Sequence, residues 1–170
     1  MPVDLRFGIG DSLPVTTELD FVDEPVMSDG SQYVDFSGLR GSRSRPANRV
    51  RDVGGTPSGS CTFRPTPVEL DVLLKYIRSA GSGSPKTYPF TESLTSFAVT
   101  TKNSTNGAKR DMTGCKVSRA EFSASRGQAL SLSLSWMGTG FARSTGSFPT
   151  LAIDETAQPI DFEDTDTTAS

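Results

Sequence analysis

Residues 130–136, LSLSLSW, constrain what this chain can fold into more than any other stretch. In an extended chain Leu130, Leu132, Leu134 and Trp136 share one side, and Ser131, Ser133 and Ser135 share the other. A helix would scatter the leucines around its circumference. The stretch closes a predicted β-meander running from Glu92 to Gly138. Its first strand alternates Phe97, Val99 and Thr101 with Ala98 and Thr100. Asn106-Gly107 predicts a two-residue hairpin turn, because both central positions need φ > 0. The second strand runs from Lys109 to Ser125 and carries Cys115, Val117, Ala120, Phe122 and Ala124. The inward parity slips between Val117 and Ala120, which predicts a β-bulge. Arg126-Gly127-Gln128 then returns the chain to the LSLSLSW strand.

Upstream, residues 1–14 read as an N-terminal arm, with Gly8, Gly10 and Pro14 interrupting regular structure. Val15–Val26 alternates as a strand that Pro25 ends or places at an edge. Asp29-Gly30 turns the chain into a second strand over Gln32–Phe36, making a hairpin. Ser58–Arg64 is a short strand leading into one convincing helix over residues 67–80. Thr66 is its N-cap, Pro67 its N1 residue, Glu69 completes a capping box, and Gly81 is the expected C′ residue. Leu70, Leu73, Leu74 and Ile77 form its predicted apolar stripe. A helix this short needs a sheet to dock on. Leu151–Ile153 and Ile160–Phe162 are two weak strand candidates, and residues 163–170 form a mobile acidic tail. The expected organisation is thus an arm (1–14), one β domain (15–162) and a tail.

At 170 residues the chain suits a single domain. An apolar fraction of only 34% with 16 glycines fits short strands joined by many turns, or an ordered core with mobile arms. Charge is segregated. Residues 1–39 hold eight acids against one base, 40–143 sixteen bases against six acids, and 144–170 six acids and no base. Such a layout can bring unlike surfaces of neighbouring subunits together; the alternative is that the acidic ends solvate their own segments. Residues 38–55 form a long polar loop containing Arg40, Arg43, Arg45, Arg49 and Arg51. Guanidinium groups clustered this way suit phosphate or carboxylate, so the loop can meet an acidic protein surface or nucleic acid, or simply be solvated. Nucleic acid is the weaker of the two binding readings: no aromatic is interleaved, and the sequence pI is near 5.0.

No catalytic constellation emerges. The chain has no histidine, so neither a Ser-His-Asp nor a Cys-His nucleophile can be assembled. Gly8-Ile9-Gly10 lacks the rest of a dinucleotide fingerprint. Acid pairs such as Asp20 with Asp23, or Asp23-Glu24, arise by chance in so acidic a segment. Asp164-Thr165-Asp166 lacks the glycine and terminal glutamate of a calcium loop. Cys61 and Cys115 match no zinc or redox spacing and read as two buried free thiols rather than a disulfide. No cofactor is expected. The first residues lack the basic start and apolar run of a signal peptide, and no apolar run is long enough to span a bilayer. The expectation is a soluble, non-enzymatic protein made in a cytoplasm.

Three segments together resemble the tail tube proteins of long, non-contractile-tailed bacteriophages. They are GLRGSRSRPANRVR leading into GGTPSGSCTFRPTPVELDVLLKYI, then GCKVSRAEFSASRGQALSLSLSWMG, then FPTLAIDETAQPIDFEDT, covering about Gly38 to Thr165. Longer relatives continue into further β-structure. The resemblance implies a mainly β fold, a β-sandwich or half-barrel flanked by the one helix. Its strands would join across subunits into stacked hexameric rings around a lumen that passes DNA. It also implies a virion tail component assembled in a host cytoplasm, partnered by copies of itself and by other tail proteins, with no membrane partner. Arg40, Arg43, Arg45, Arg49 and Arg51 then become candidates for contacts between subunits or rings. Ser131, Ser133 and Ser135 become one candidate lumen face, the alternative being that they face bulk water. Competing readings are a tail-completion or neck protein forming one ring, and a carbohydrate-binding β-sandwich, which would want exposed aromatics.

Overall fold

The structure, a computed structural model, describes residues 5–35, 50–52, 54–151 and 157–161. In chain order its elements are β1 (Leu5–Gly10), β2 (Thr17–Glu18), β3 (Val26–Ser28), β4 (Tyr33–Asp35), β5 (Val50–Asp52) and β6 (Ser58–Phe63). Then come α1 (Pro67–Ile77), β7 (Phe97–Asn103), β8 (Lys109–Ser123), β9 (Ser131–Met137) and β10 (Gly140–Ser144). The fold is mainly β with one short helix, as expected. One antiparallel sheet runs β2-β1-β7-β8-β9-β6-β3, with β10 also on β8, while β4 and β5 pair apart from it.

β8 is the hinge of this sheet. Its first part, up to Cys115, pairs with β7, and its second part, from Lys116, pairs with β9. β10 continues the line of β9 along the same side of β8, from Gly140 opposite Thr113 to Ser144 opposite Lys109. Register shifts fall between Phe97 and Val99 on β7 and between Val117 and Arg119 on β8. The second is the bulge that the parity slip predicted. Bulges bend a strand and increase its twist. Gly114 lies at the same corner with φ of 60°, and a Cβ there would sit 2.2 Å from Thr139 Oγ1. Only glycine fits both the torsion and the space.

Bent at this corner, the sheet faces itself. Phe7 and Phe97 of the β7 half meet Phe63 and Trp136 of the β9 half, with ring centroids 5.3 Å apart for Phe7–Phe63 and 6.4 Å for Phe97–Trp136. Leu132 and Leu134 join this core with Ile9, Val99, Met112 and Cys115. Each such side chain contributes roughly 1.5–3 kcal/mol when fully buried. α1 closes the core through Leu73 and Tyr76, whose ring lies 5.0 Å from Phe97. Its capping box is present: Glu69 N–H donates to Thr66 Oγ1 and Thr66 N–H donates to Glu69 Oε2.

Several expectations need correction. Residues 5–10, expected within an arm, form β1 between β2 and β7. The glycines there permit close packing: a Cβ on Gly8 would lie 2.6 Å from Val15 Cγ2 and 2.9 Å from Phe148 Cζ. Val15–Val26 is not one strand but β2 and β3 on opposite margins of the sheet. β4 pairs with β5 rather than with the preceding segment, so residues 50–52, expected within the 38–55 loop, are a strand held by backbone pairing to Tyr33–Asp35. The turn at Asn106-Gly107 is longer than two residues, closed by Asn103 N–H donating to Ala108 O. Only Gly107 has positive φ there, and Asn103 Oδ1 accepts from the Thr105 and Asn106 amides. The helix ends at Ile77 rather than residue 80, with Arg78 rather than a glycine at its cap. Its buried face centres on Leu73 and Tyr76, with Val72 and Ile77 beside them, rather than on Leu70 and Leu74. Of the two weak strand candidates, Leu151 is not in a strand and Ile160–Asp161 makes only a single bridge, Asp161 to Ala129, with Leu130 N–H donating to Ile160 O; residues 152–156 and 162 lie outside the described residues, as does the tail.

Candidate assembly surface

The two halves of the sheet are covered differently. In the β7 half both faces are occupied, so β7, expected to bury one face, is buried on both from Phe97 to Thr101. On its far side Thr100 Oγ1 donates to Asp111 Oδ1 at 2.6 Å, and Lys109 Nζ lies 3.1 Å from Asp111 Oδ2. The chain after β10 crosses this side. Lys102 Nζ donates to Gly146 O at 2.8 Å, and the Arg6 guanidinium stacks 4.3 Å from the Phe148 ring.

Among the described residues, the β9 half is covered on one face only, and the serines of its other face are half-buried. Leu132, Leu134 and Trp136 point into the core, so Ser131, Ser133 and Ser135 point away from it. The register places Ser60 and Thr62 of β6 beside Ser135 and Ser133, and Arg119, Glu121 and Ser123 of β8 on their other side. Ser133 and Thr62 hydroxyls are 3.1 Å apart. The result is a short-chain hydroxyl surface on which Arg119 and Glu121 form an ion pair, while Lys116 makes no ion pair among the described residues.

This half also has an open edge. From Lys116 to Ser123, β8 hydrogen-bonds to β9 on one side and to no described strand on the other. Its core-side residues Val117 and Ala120 are only partly covered, and Phe122 is 49% exposed. The opposite margin is built differently. Residues 21–28 run along β6, with a bridge from Phe21 to Phe63 and β3 pairing from Val26 opposite Ser60. Four residues lie between these points on the outer chain and two on β6, so the outer chain bulges. Asp23 and Glu24 lie in that excess, exposed, followed by buried Pro25.

The acidic N-terminal third is partly neutralised within its own fold. Asp11 accepts from Lys75 Nζ at 2.6 Å and from Tyr76 Oη at 3.0 Å, and these bonds, Lys75 foremost, hold its carboxyl below the usual carboxylate range. Glu18 pairs with Arg6, and Asp29 with Arg143. Asp20, Asp23 and Glu24 make no ion pair among the described residues. Arg40, Arg43, Arg45 and Arg49 lie outside the described residues. Arg51 lies in β5 with its backbone opposite Val34. Cys61 and Cys115 are buried free thiols, and burial pushes both up to about 12. Among the described residues no group of three metal-ligating side chains converges, and no helix is long and apolar enough to cross a membrane.

Sequence reasoning found the hydroxyl face and expected strands to join across subunits, but did not say which strand carries the open edge. The long second strand of the meander was a signal, yet alternation says nothing about which side of a strand lacks a partner.

Comparison with known proteins gives three findings. A family model described as phage tail tube protein matches residues 9–170. Compared by sequence with curated proteins, the chain matches none. Among solved structures, one similar chain comes from the cryo-EM structure of an extracellular contractile injection system, the PVC sheath–tube complex in the extended state. It has a TM-score of 0.50 at 7% identity, covering 85% of this chain and 90% of that one. Another comes from the anti-feeding prophage cap, described as a tube-terminating cap, at a TM-score of 0.47 and 9% identity, covering 86% and 93%.

Proposed function

The chain belongs to the phage tail tube protein family, and from that premise we propose that it is the major tail tube subunit, polymerising as stacked hexameric rings that form a conduit for DNA. A structural family of this kind, not an enzyme family, also makes it a component of the virion tail. The observation that carries the proposal is the unfinished β9 half: four strands, β8-β9-β6-β3, with a half-buried hydroxyl face and an edge at Lys116–Ser123 that no described strand pairs.

An unpaired strand edge is a liability in a protein that stays monomeric, and closing a sheet into a barrel removes it. If each copy adds its four strands to those of the next, the ring becomes one barrel. The face that carries Trp136 is already occupied by the subunit's own core, so the bore receives the Ser131, Ser133 and Ser135 face. That surface suits a conduit. Each guanidinium–phosphate contact would hold DNA in place, and here Arg119 is engaged by Glu121, Lys116 is the other base of the face, and the β6 and β9 side chains beside them are mostly hydroxyls. Subunit contacts of this sort bury about 2,000 Å² or more. Stacking of rings falls, on this reading, to the segment carrying Arg40, Arg43, Arg45 and Arg49, with Arg51 in β5 at its end, reaching the acidic N- or C-terminal segment of the adjacent ring. Other tail proteins cap the tube, and assembly takes place in the host cytoplasm.

Negative-stain microscopy of the purified chain tests this directly. Tubes of indefinite length with a central bore are the expected result. Isolated rings would point instead to a tail-completion role, and a monomer at high concentration would end the proposal. The triple substitution Arg43→Glu, Arg45→Glu, Arg49→Glu should leave subunits folded and rings unable to stack; unchanged tubes would remove the arginine loop from the interface.

A further inference from the structure

The two margins of the β9 half differ in charge. The β8 margin offers an extended edge, bulged between Val117 and Arg119, with two exposed bases on it, Lys116 and Arg119, and one acid, Glu121, beside Arg119. The β3 margin offers Asp20, Asp23 and Glu24, all exposed and outside any ion pair of the described residues, with Asp23 and Glu24 pushed outward by the bulge. Bulges, charges and proline on an edge strand are how sheets refuse indiscriminate pairing. Two β3 margins brought together would set acid against acid, and like charges facing each other across an interface repel. Against a β8 margin the same acids meet a lysine and an arginine.

We propose that charge keys the two margins to each other: Asp23 and Glu24 of one copy seat against Lys116 and Arg119 on the open β8 edge of the next, so the sheet extends head to tail. This rests on the ring reading above and adds a rule to it. A contact between unlike surfaces closes into a ring when the rotation fits, whereas contact between like surfaces stops at a two-fold dimer. The acidic bulge excludes the β3-to-β3 dimer, and the bases on β8 supply the partner that relieves it. Phe122 lies on the same edge, on the core side, where the neighbour's margin covers it.

The test is a charge exchange. One variant carries Asp23→Lys and Glu24→Lys, the other Lys116→Glu and Arg119→Glu. Each alone has two margins of like charge, and the concentration at which it assembles should rise by about tenfold or more. An equimolar mixture restores unlike contacts at every joint, so the mixture should assemble near the wild-type concentration, with the two variants alternating. If each variant assembles as readily as the wild type, or the mixture gains nothing, the keying is wrong although the wild type's tubes still stand. A wild type that never assembles removes the ring reading and the keying together. Should either variant lose the wild-type thermal melt, the wild type decides alone. Its assembly must weaken steadily from about 0.05 M to about 0.5 M salt as screening grows, and assembly indifferent to salt overturns the keying.

Discussion

β8 passes through two environments in one strand. From Lys109 to Cys115 it lies between β7 and β10, with Asp111, Met112 and Cys115 buried. From Lys116 to Ser123 it has β9 on one side only, and most of its side chains are exposed. Both parts mix charged and apolar residues, and neither is apolar enough to be told from the other by composition. What separates them is whether the same chain supplies a second neighbour and a covering layer. The first part is finished by its own subunit, through β10 and the segment that Lys102 fastens down. On the function proposed above, the second part is left for another copy. Stability of the subunit and competence to assemble would then be carried by different residues of one strand.

The comparison breaks most visibly at Met112. It is fully buried, and a Cβ on Gly138 would come within 2.7 Å of its Cγ, so little around it can collapse into a gap. Met112→Ala should cost about 2–5 kcal/mol of subunit stability in denaturant unfolding. A loss below about 1 kcal/mol would mean that the first part of β8 is not the packed half. Asp111→Ala comes next. It strands the buried Thr100 hydroxyl and the Lys109 ammonium, with an expected loss of about 1–3 kcal/mol by the same measurement. If Asp111→Ala melts like the wild type, the polar layer beneath the 145–148 crossing is not closed.

Much of this division was legible before any coordinates, and the reasons for the misses are physical. The LSLSLSW alternation placed Leu132, Leu134 and Trp136 inside and the serines outside, because period-2 burial depends only on one covered face. The slip at Val117 located the bulge, and Thr66 with Glu69 located the helix start, since both are local devices. Tyr76 was missed as a core residue because its hydroxyl finds its acceptor on Asp11, 65 residues earlier. β1 was missed because Gly8 and Gly10 look like breakers in isolation, while their use is to admit Val15, Thr16 and Phe148 from elsewhere. The open edge is a negative property of the whole topology, and no local pattern encodes it.

Phe122 separates the two roles. It is half-exposed at the end of the open edge, so Phe122→Ser should cost the isolated subunit about 1 kcal/mol or less. Assembly, followed by light scattering, should nevertheless fail at concentrations where the wild type polymerises. Hydrogen exchange gives the same contrast without a mutation. Amides of residues 116–123 that point away from β9 should exchange quickly in dilute subunits and become protected in tubes, while those of residues 109–115 are protected in both. Equal protection of both parts in dilute subunits would mean that the edge is already closed within one chain.

The smallest effect probes where the covered part stops. Cys115 is the last residue of β8 that pairs with β7, and burial raises its thiol from the ordinary value of 9.0 to about 12. Below pH 9 folded and unfolded chains both hold this proton, so it contributes nothing to the pH dependence. Between pH 9 and about 12 the unfolded thiol ionises while the folded one does not. The unfolded state then binds fewer protons, and stability falls as pH rises. Cys61 behaves alike, so Cys115→Ala should make the alkaline slope shallower without abolishing it, in unfolding curves from pH 8 to about pH 11. Parallel slopes for the variant and the wild type would place the thiol in water, and the open edge would then begin before the Gly114 corner rather than after it.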